Sequence, residues 1–332
     1  VNNNQAAPEI EWQQLAPESP WGKRAMPRGG LMDGYFYIIS GRSGMFRIYS
    51  DTWRSPDGVN WEKMSDQTGW GKRCYPEVEC VQGHLVLTAG QGLSTFYNDV
   101  WRSADQGRTW EQVCADAPWN VRAGHHTYTI DDVIYLFGGA RNSFDRIFYP
   151  ELWVSKDLGE TWELRAELPE DMGRAGMQVV EIDGTIYFMG GDHDKPVFQA
   201  NWPGRRNDVW KSADQGETWE MLGHAPWAPR TGHQCIAHNG KVICIGGHAQ
   251  GTHKYKQILM HDMWVWDPST GMDSWELATD NVWGCADNPG RDGKSDFMLE
   301  VRDGKIWTFG GDREVISPWP QDNDVWVADL PG

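Results

Sequence analysis

Residues 98–110 read NDVWRSADQGRTW, and residues 207–219 read NDVWKSADQGETW. A phrase copied almost letter for letter within one chain marks an internal repeat, which decides the architecture before any other feature is weighed. Aligning the tryptophan that follows the Asp-Val pair finds the phrase six times. It recurs as SDTW at Trp53, NDVW at Trp101, PELW at Trp153, NDVW at Trp210, HDMW at Trp264 and NDVW at Trp326, at intervals of 48 to 62 residues. A second tryptophan follows in five of the units, at Trp61, Trp110, Trp162, Trp219 and Trp275.

Upstream of each phrase lies a short apolar run ending in small residues: YFYIISG, LVLTAG, VIYLFGG, TIYFMGG, KVICIGG and KIWTFGG. Further upstream a basic residue introduces another run, in GKRA, GKRC, VRAG, GRAG, PRTG and GKSD. Each unit therefore reads as four short strands, a to d, separated by turn signals, the pattern of a propeller blade. The expected blades cover about residues 24–64, 73–113, 122–164, 174–222, 230–277 and 294–329. The sixth unit lacks a strand d, and the segment EIEWQQL at 9–15 carries Trp12 where that strand needs it. The predicted fold is all-β: one six-bladed β-propeller domain of four-stranded antiparallel blades, with the N-terminal strand completing the last blade. Such a closure removes two exposed sheet edges.

The glycine pair after strand b, the basic residue before strand a and the Asp-Leu/Val-Trp phrase resemble kelch-repeat propellers. The stretch Ser103-Asp105-Gly107-Thr109-Trp110 is similar to the Asp-box of sialidases, as are Ser155-Asp157-Gly159-Thr161-Trp162 and Ser212-Asp214-Gly216-Thr218-Trp219. A degenerate copy runs Ser55-Asp57-Gly58-Trp61, and the fifth unit has DPSTGMDSW instead. The resemblance implies that these turns lie at the blade periphery, away from the axis. Their chemistry suits that place, because Asp and Ser close tight turns onto backbone N–H groups and glycine supplies positive φ. The phrase is expected to be scaffold rather than active site.

Composition narrows the function classes. The 332-residue chain holds 21 Trp and 38 Gly, a pairing that fits many short strands, tight turns and large aromatic plugs. A formal net charge of −17 argues against nucleic acid as a partner, since phosphate binding needs a basic surface. No apolar run is long enough to span a membrane as a helix. The polar start VNNNQAAPEIEW suits a processed, secreted or periplasmic protein, and a monomer is expected. The six cysteines form no CxxC motif, although Cys235 and Cys244 are placed to face each other across a strand pair.

Repeated residues hold a propeller together, so candidate chemistry lies in what differs between units. The b–c connections differ most, and those of the fourth and fifth units are the longest and richest in His, Lys, Arg and aromatics. The basic residues before strand a (Arg24, Arg73, Arg122, Arg174 and Arg230, with Lys294 in the sixth unit) form a ring. Arg73, Arg122, Arg174 and Arg230 are candidates to clamp an anion, although the resemblance gives this arginine a structural role as well. Three residues beyond the basic residue stand Pro27, Pro76, His125, Met177, His233 and Phe297, which by kelch analogy face the channel. His125 and His233 are thus candidate acid/base residues. His193 and His248 follow the glycine pairs of the fourth and fifth units, so a divalent metal held by His193, His233 and His248 is a further expectation. His126 is set aside as having the wrong strand parity.

Asp192 and Asp312 are candidate ligand-binding carboxylates, and Glu77, Asp194 and Glu314 are also within reach of the same face. GxSxG and HExxH motifs are absent. Two functions remain open. The first is an enzyme acting on an acidic carbohydrate by elimination or epimerisation, as in kelch-type sialate mutarotases. The second is a non-catalytic module recognising a protein or glycan.

Overall fold

The computed structural model describes residues 10–44, 46–141, 147–193, 204–250, 257–285, 293–313 and 321–330. Six four-stranded antiparallel sheets account for most of them. Blade one runs through Arg28–Met32, Tyr35–Ile39, Thr52–Ser55 and Glu62–Ser65, in sheet order as in sequence order. Blades two to five repeat this meander. Blade six takes Met298–Arg302, Lys305–Asp312 and Gln321–Asp329 from the C-terminal end and its outer strand, Trp12–Ala16, from the other end of the chain. The expected closure is therefore present, with Trp12 opposite Ala328.

The six inner strands contact one another in a closed cycle: Arg28–Met32, Glu77–Val81, His126–Ile130, Gln178–Ile182, Gln234–His238, Met298–Arg302 and back to the first. Strand b of each blade is buried on both faces, as in Tyr37, Ile38 and Ile39 of blade one, all at 0% exposure. Apolar side chains from neighbouring sheets interleave there, so the core is a set of inter-blade wedges rather than one central mass.

The repeated phrase supplies the struts between and within those wedges. In every blade the acidic residue two before the phrase tryptophan accepts the indole N–H, from Trp53 to Asp51 through to Trp326 to Asp324. The same carboxylate receives the basic residue that precedes strand a. Arg174 grips Asp208 at 2.6 and 2.5 Å, Arg230 grips Asp262 at 2.6 and 2.8 Å, and Lys294 reaches Asp324 at 2.5 Å. Each arginine also donates to a carbonyl sixteen residues on, at the end of strand b. A tryptophan three residues before the arginine lies against it in four blades: Trp21, Trp70, Trp119 and Trp227. These four meet the second tryptophan of their own unit edge to face, at about 6 Å between ring centroids.

The Ser-x-Asp-x-Gly turns join each blade to the one before. Ser103 Oγ accepts from Gly107 N at 2.8 Å, and Asp105 accepts from both the backbone and the hydroxyl of Thr109. Gly107 has φ +85°, and a methyl group there would lie 2.4 Å from Cγ2 of Thr52 in blade one. Gly159 meets Val100 of blade two, and Gly216 meets Leu152 of blade three, in the same way. Glycine is needed both for its conformation and for close inter-blade approach.

Candidate functional site

The axis of the ring is a polar channel. One cavity, of about 220 Å³, is walled by the loops before strands a and by the first residues of those strands. A second, of about 280 Å³, continues along the inner strands. Two loop features shape the first cavity: a collar of backbone and a change of strand face.

The collar consists of the residues two beyond the basic position. All six have positive φ: Met26 (56°), Tyr75 (54°), Gly124 (63°), Gly176 (63°), Gly232 (66°) and Asp296 (53°). Backbone hydrogen bonds link them around the axis, from Gly124 to Tyr75, Gly176 to Gly124, Asp296 to Gly232 and Met26 to Asp296. Three blades use glycine, which adopts this conformation freely, while three place side chains there at a cost of about 1 kcal/mol or more each. Tyr75 and Asp296 present their side chains to the cavity. Strained non-glycine residues clustered on a cavity are a mark of function. The signal was visible in the sequence, because GKRAM, GKRCY and GKSD lack the glycine of VRAG, GRAG and PRTG, but sequence reasoning passed over it.

The strand faces correct the expected parity. Residues four beyond the basic position line the channel: Arg28, Glu77, His126, Gln178, Gln234 and Met298. The kelch-based expectation placed the channel one residue earlier, and in a strand a one-residue slip exchanges the faces. His126, set aside on parity, is a channel residue whose Nε2 donates to Val179 O at 3.1 Å. His233 instead turns into the wedge between blades four and five, fully buried against Trp227. His125 keeps a place on the cavity wall, with Nε2 2.8 Å from Thr88 Oγ1.

The arginine ring is a second correction. Arg73, Arg122, Arg174 and Arg230 have 0% exposure and spend their donors on the carboxylate and carbonyl struts described above. A guanidinium so enclosed cannot meet a ligand, so these four do not form an anion clamp. The arginines on the cavity are Arg28 and Arg205. Arg28 pairs with Glu77 at 2.9 Å. Asp192 lies on the wall as expected, whereas Asp312 is held away by Arg42 at 3.0 Å and Gln321 at 2.8 Å. Asp194, Glu314 and much of the long fourth and fifth b–c connections lie outside the described residues.

The expected histidine metal set is not brought together either. His193 turns to Gly173 O and stacks on Phe148, His248 lies on the cavity wall, and His233 is in the wedge. Among the described residues, His233 instead approaches Cys235 and Cys244.

Burial dominates the electrostatics. It pushes Glu77 up to about 7, an effect that Arg28 beside it only partly offsets. Asp296 is raised for the same reason, with Arg28 and Arg42 opposing. Burial and the neighbouring Arg205 hold His248 down at about 3, and burial with Arg122 and Arg28 keeps His125 neutral. Deeper in the channel, burial and Glu79 raise Glu300 to about 8. At neutral pH the cavity thus presents neutral imidazoles, the carboxyl groups of Glu77, Asp192 and Asp296, of which Glu77 is part protonated, two guanidinium groups and the amides Gln91, Gln178 and Gln234.

Six antiparallel blades around a polar axis, tied by an arginine, aspartate and tryptophan strut, define a kelch-like β-propeller. The kelch motif family profile matches residues 229–280, the span of blade five. A solved structure of YjhT is similar over 93% of this chain and 96% of its own, with a TM-score of 0.72 and 18% sequence identity. At that identity the likeness shows the fold. No curated protein matches the sequence. Among the described residues no helix is long and apolar enough to cross a membrane.

Proposed function

We propose that the axial cavity binds a small acidic sugar and moves a proton on it, in an epimerase or lyase type of reaction. The observation that carries this reading is the collar: Tyr75 and Asp296 occupy left-handed positions that three other blades give to glycine, and both side chains enter the cavity. The surrounding amides, carboxyls and hydroxyls suit a ligand bristling with hydroxyl groups. A volume of about 220 Å³ favours a single sugar unit over a drug-sized molecule. Arg28 and Arg205 would take the ligand carboxylate, replacing part of the pairing of Arg28 with Glu77.

One group then has the protonation balance that proton transfer requires. Glu77, near 7, can give or accept a proton at neutral pH, while His248, held neutral and with no partner at Nδ1, can hydrogen-bond the ligand. His125 stands beside them as a second neutral imidazole. No step here calls for a metal. A recognition module is the other reading, favoured by exposed Phe46 and Leu93 on the b–c connections of blades one and two, at 77% and 64% exposure.

Calorimetric titration with uronates, sialates and their neutral counterparts tests the binding. The acidic sugars should bind, and Arg28→Ala should weaken them by about 10- to 100-fold, the range for a lost charged hydrogen bond. Equal affinity for neutral sugars would sink the acidic-sugar assignment. Exchange of ligand protons followed by NMR in heavy water tests the chemistry. Binding without exchange, unchanged in Glu77→Gln, would leave the recognition module.

A further inference from the structure

The wedge between blades four and five contains a group of donors that the axial site does not use. His233 has 0% exposure, and neither ring nitrogen has a hydrogen-bond partner. Two unpaired nitrogens on a fully buried imidazole are costly, since each forgoes water without replacement. Cys235 and Cys244 stand directly opposite each other on neighbouring strands of blade five, and both are free thiols. One donor atom from each of His233, Cys235 and Cys244 lies within 4.8 Å of the other two. The backbone makes room for this arrangement. A methyl group at Gly190 would fall 2.5 Å from Cε1 and 2.8 Å from Nε2 of His233.

We propose that His233, Cys235 and Cys244 form a zinc site. Two sulfurs and one imidazole are a donor set that selects a thiophilic ion over calcium or magnesium, which require oxygen. Tetrahedral zinc with Zn–S of ~2.3 Å and Zn–N of ~2.0 Å spaces its ligands about 3.5 to 3.8 Å apart. No pair therefore needs to close by more than about 1 Å on binding. Binding releases the two thiol protons, so Zn²⁺, two thiolates and a neutral imidazole sum to no net charge in a buried place. Cys235 also lines the deeper channel cavity. The site does not depend on the axial cavity or its ligand.

The test loads the reduced full chain with zinc chloride, removes free metal and measures bound zinc by elemental analysis. One zinc per chain is expected, and cobalt in its place should show thiolate-to-cobalt charge-transfer absorption. Cys235→Ala and Cys244→Ala should each weaken zinc by more than the roughly 10- to 100-fold that loss of a supporting group costs. Cys114→Ala and Cys285→Ala should leave it unchanged. His233→Gln should weaken binding yet keep the thiolate band. Because a buried substitution can disturb blade five, the cobalt spectrum of the unaltered chain is decisive. Absence of that band with both thiols free, or isolation of the chain with Cys235 and Cys244 joined as a disulfide, overturns the proposal.

Discussion

The chain uses arginine twice near its axis, with opposite results. Arg174, like its equivalents in four other blades, is fully buried, and it is gripped by Asp208 away from the cavity wall. Arg28 lies four residues beyond the repeat position, keeps partial exposure and faces the cavity beside Glu77. The first is repeated because every blade needs the same internal strut. The second is unrepeated because only one sector of the channel needs that charge there. Repetition marks what holds the ring, and departure from repetition marks what the ring displays.

Removing one arginine of each kind should separate these roles most sharply. Arg174→Ala leaves Asp208 buried without its cation, and breaking such a pair costs about 3–5 kcal/mol. Set against the about 5–15 kcal/mol that holds typical folded proteins together, such a loss should move unfolding to clearly lower denaturant. Arg28→Ala strands a carboxyl that burial already favours in its protonated form, so its midpoint should shift little while ligand affinity falls. Comparable losses of stability in the two variants would erase the distinction drawn here.

This contrast also explains what was legible in the sequence. The six-fold phrase, the strand d borrowed from residues 12–16 and the scaffold role of NDVW all follow from spacing and repetition, which survive without coordinates. The ligand-facing residues do not, because facing is a matter of parity, and nothing local in GRAGMQ says whether Met177 or Gln178 meets the axis. His126 and His233 were exchanged for that reason alone. The arginine ring misled differently: a charge beside an axis looks like a clamp until its partner carboxylate, some thirty residues on, is seen to occupy it. The tryptophan three residues before each of four arginines was present in PWGKR, GWGKR, PWNVR and PWAPR, and would have flagged those arginines as buried.

The second expected effect is on pH dependence, where buried carboxyls and buried imidazoles pull in opposite senses. Glu77, Asp312 and Glu300 are raised to about 7, 7 and 8 by burial. A carboxyl raised on folding stabilises the native state fully below its ordinary range and loses that contribution as pH climbs through 7 and 8. His126 and His248 are lowered to about 4 and 3, so their contribution is present above the ordinary histidine range near ~6.5 and is lost as pH falls toward those values. The two windows overlap between about pH 4 and 6.5, where the opposing slopes nearly cancel, so stability should form a broad maximum there and fall on both sides. Thermal midpoints from pH 3 to 9 would show the dome, and Glu300→Gln should flatten its alkaline side while leaving the acid side in place. An alkaline limb unchanged by that substitution would mean that the channel carboxyls are not protonated in the native state.

The smallest expected shift in stability falls at the collar, and it bears most directly on the site. Asp296→Gly restores the residue that blades three, four and five already use at that position. It relieves a left-handed φ of 53° and removes a buried carboxyl. Both changes favour the fold, so a gain of about 1 kcal/mol is expected. The backbone links from Asp296 N to Gly232 O and from Met26 N to Asp296 O need no side chain and should persist. Ligand binding at the axial cavity should nevertheless fall, because the side chain supplies an acceptor that no neighbouring blade replaces. A variant that is firmer yet binds less would show that blade six accepts strain in order to place a functional group. If the variant loses stability instead, Asp296 belongs with the struts, and the line between the two kinds of residue must be moved inward to exclude it.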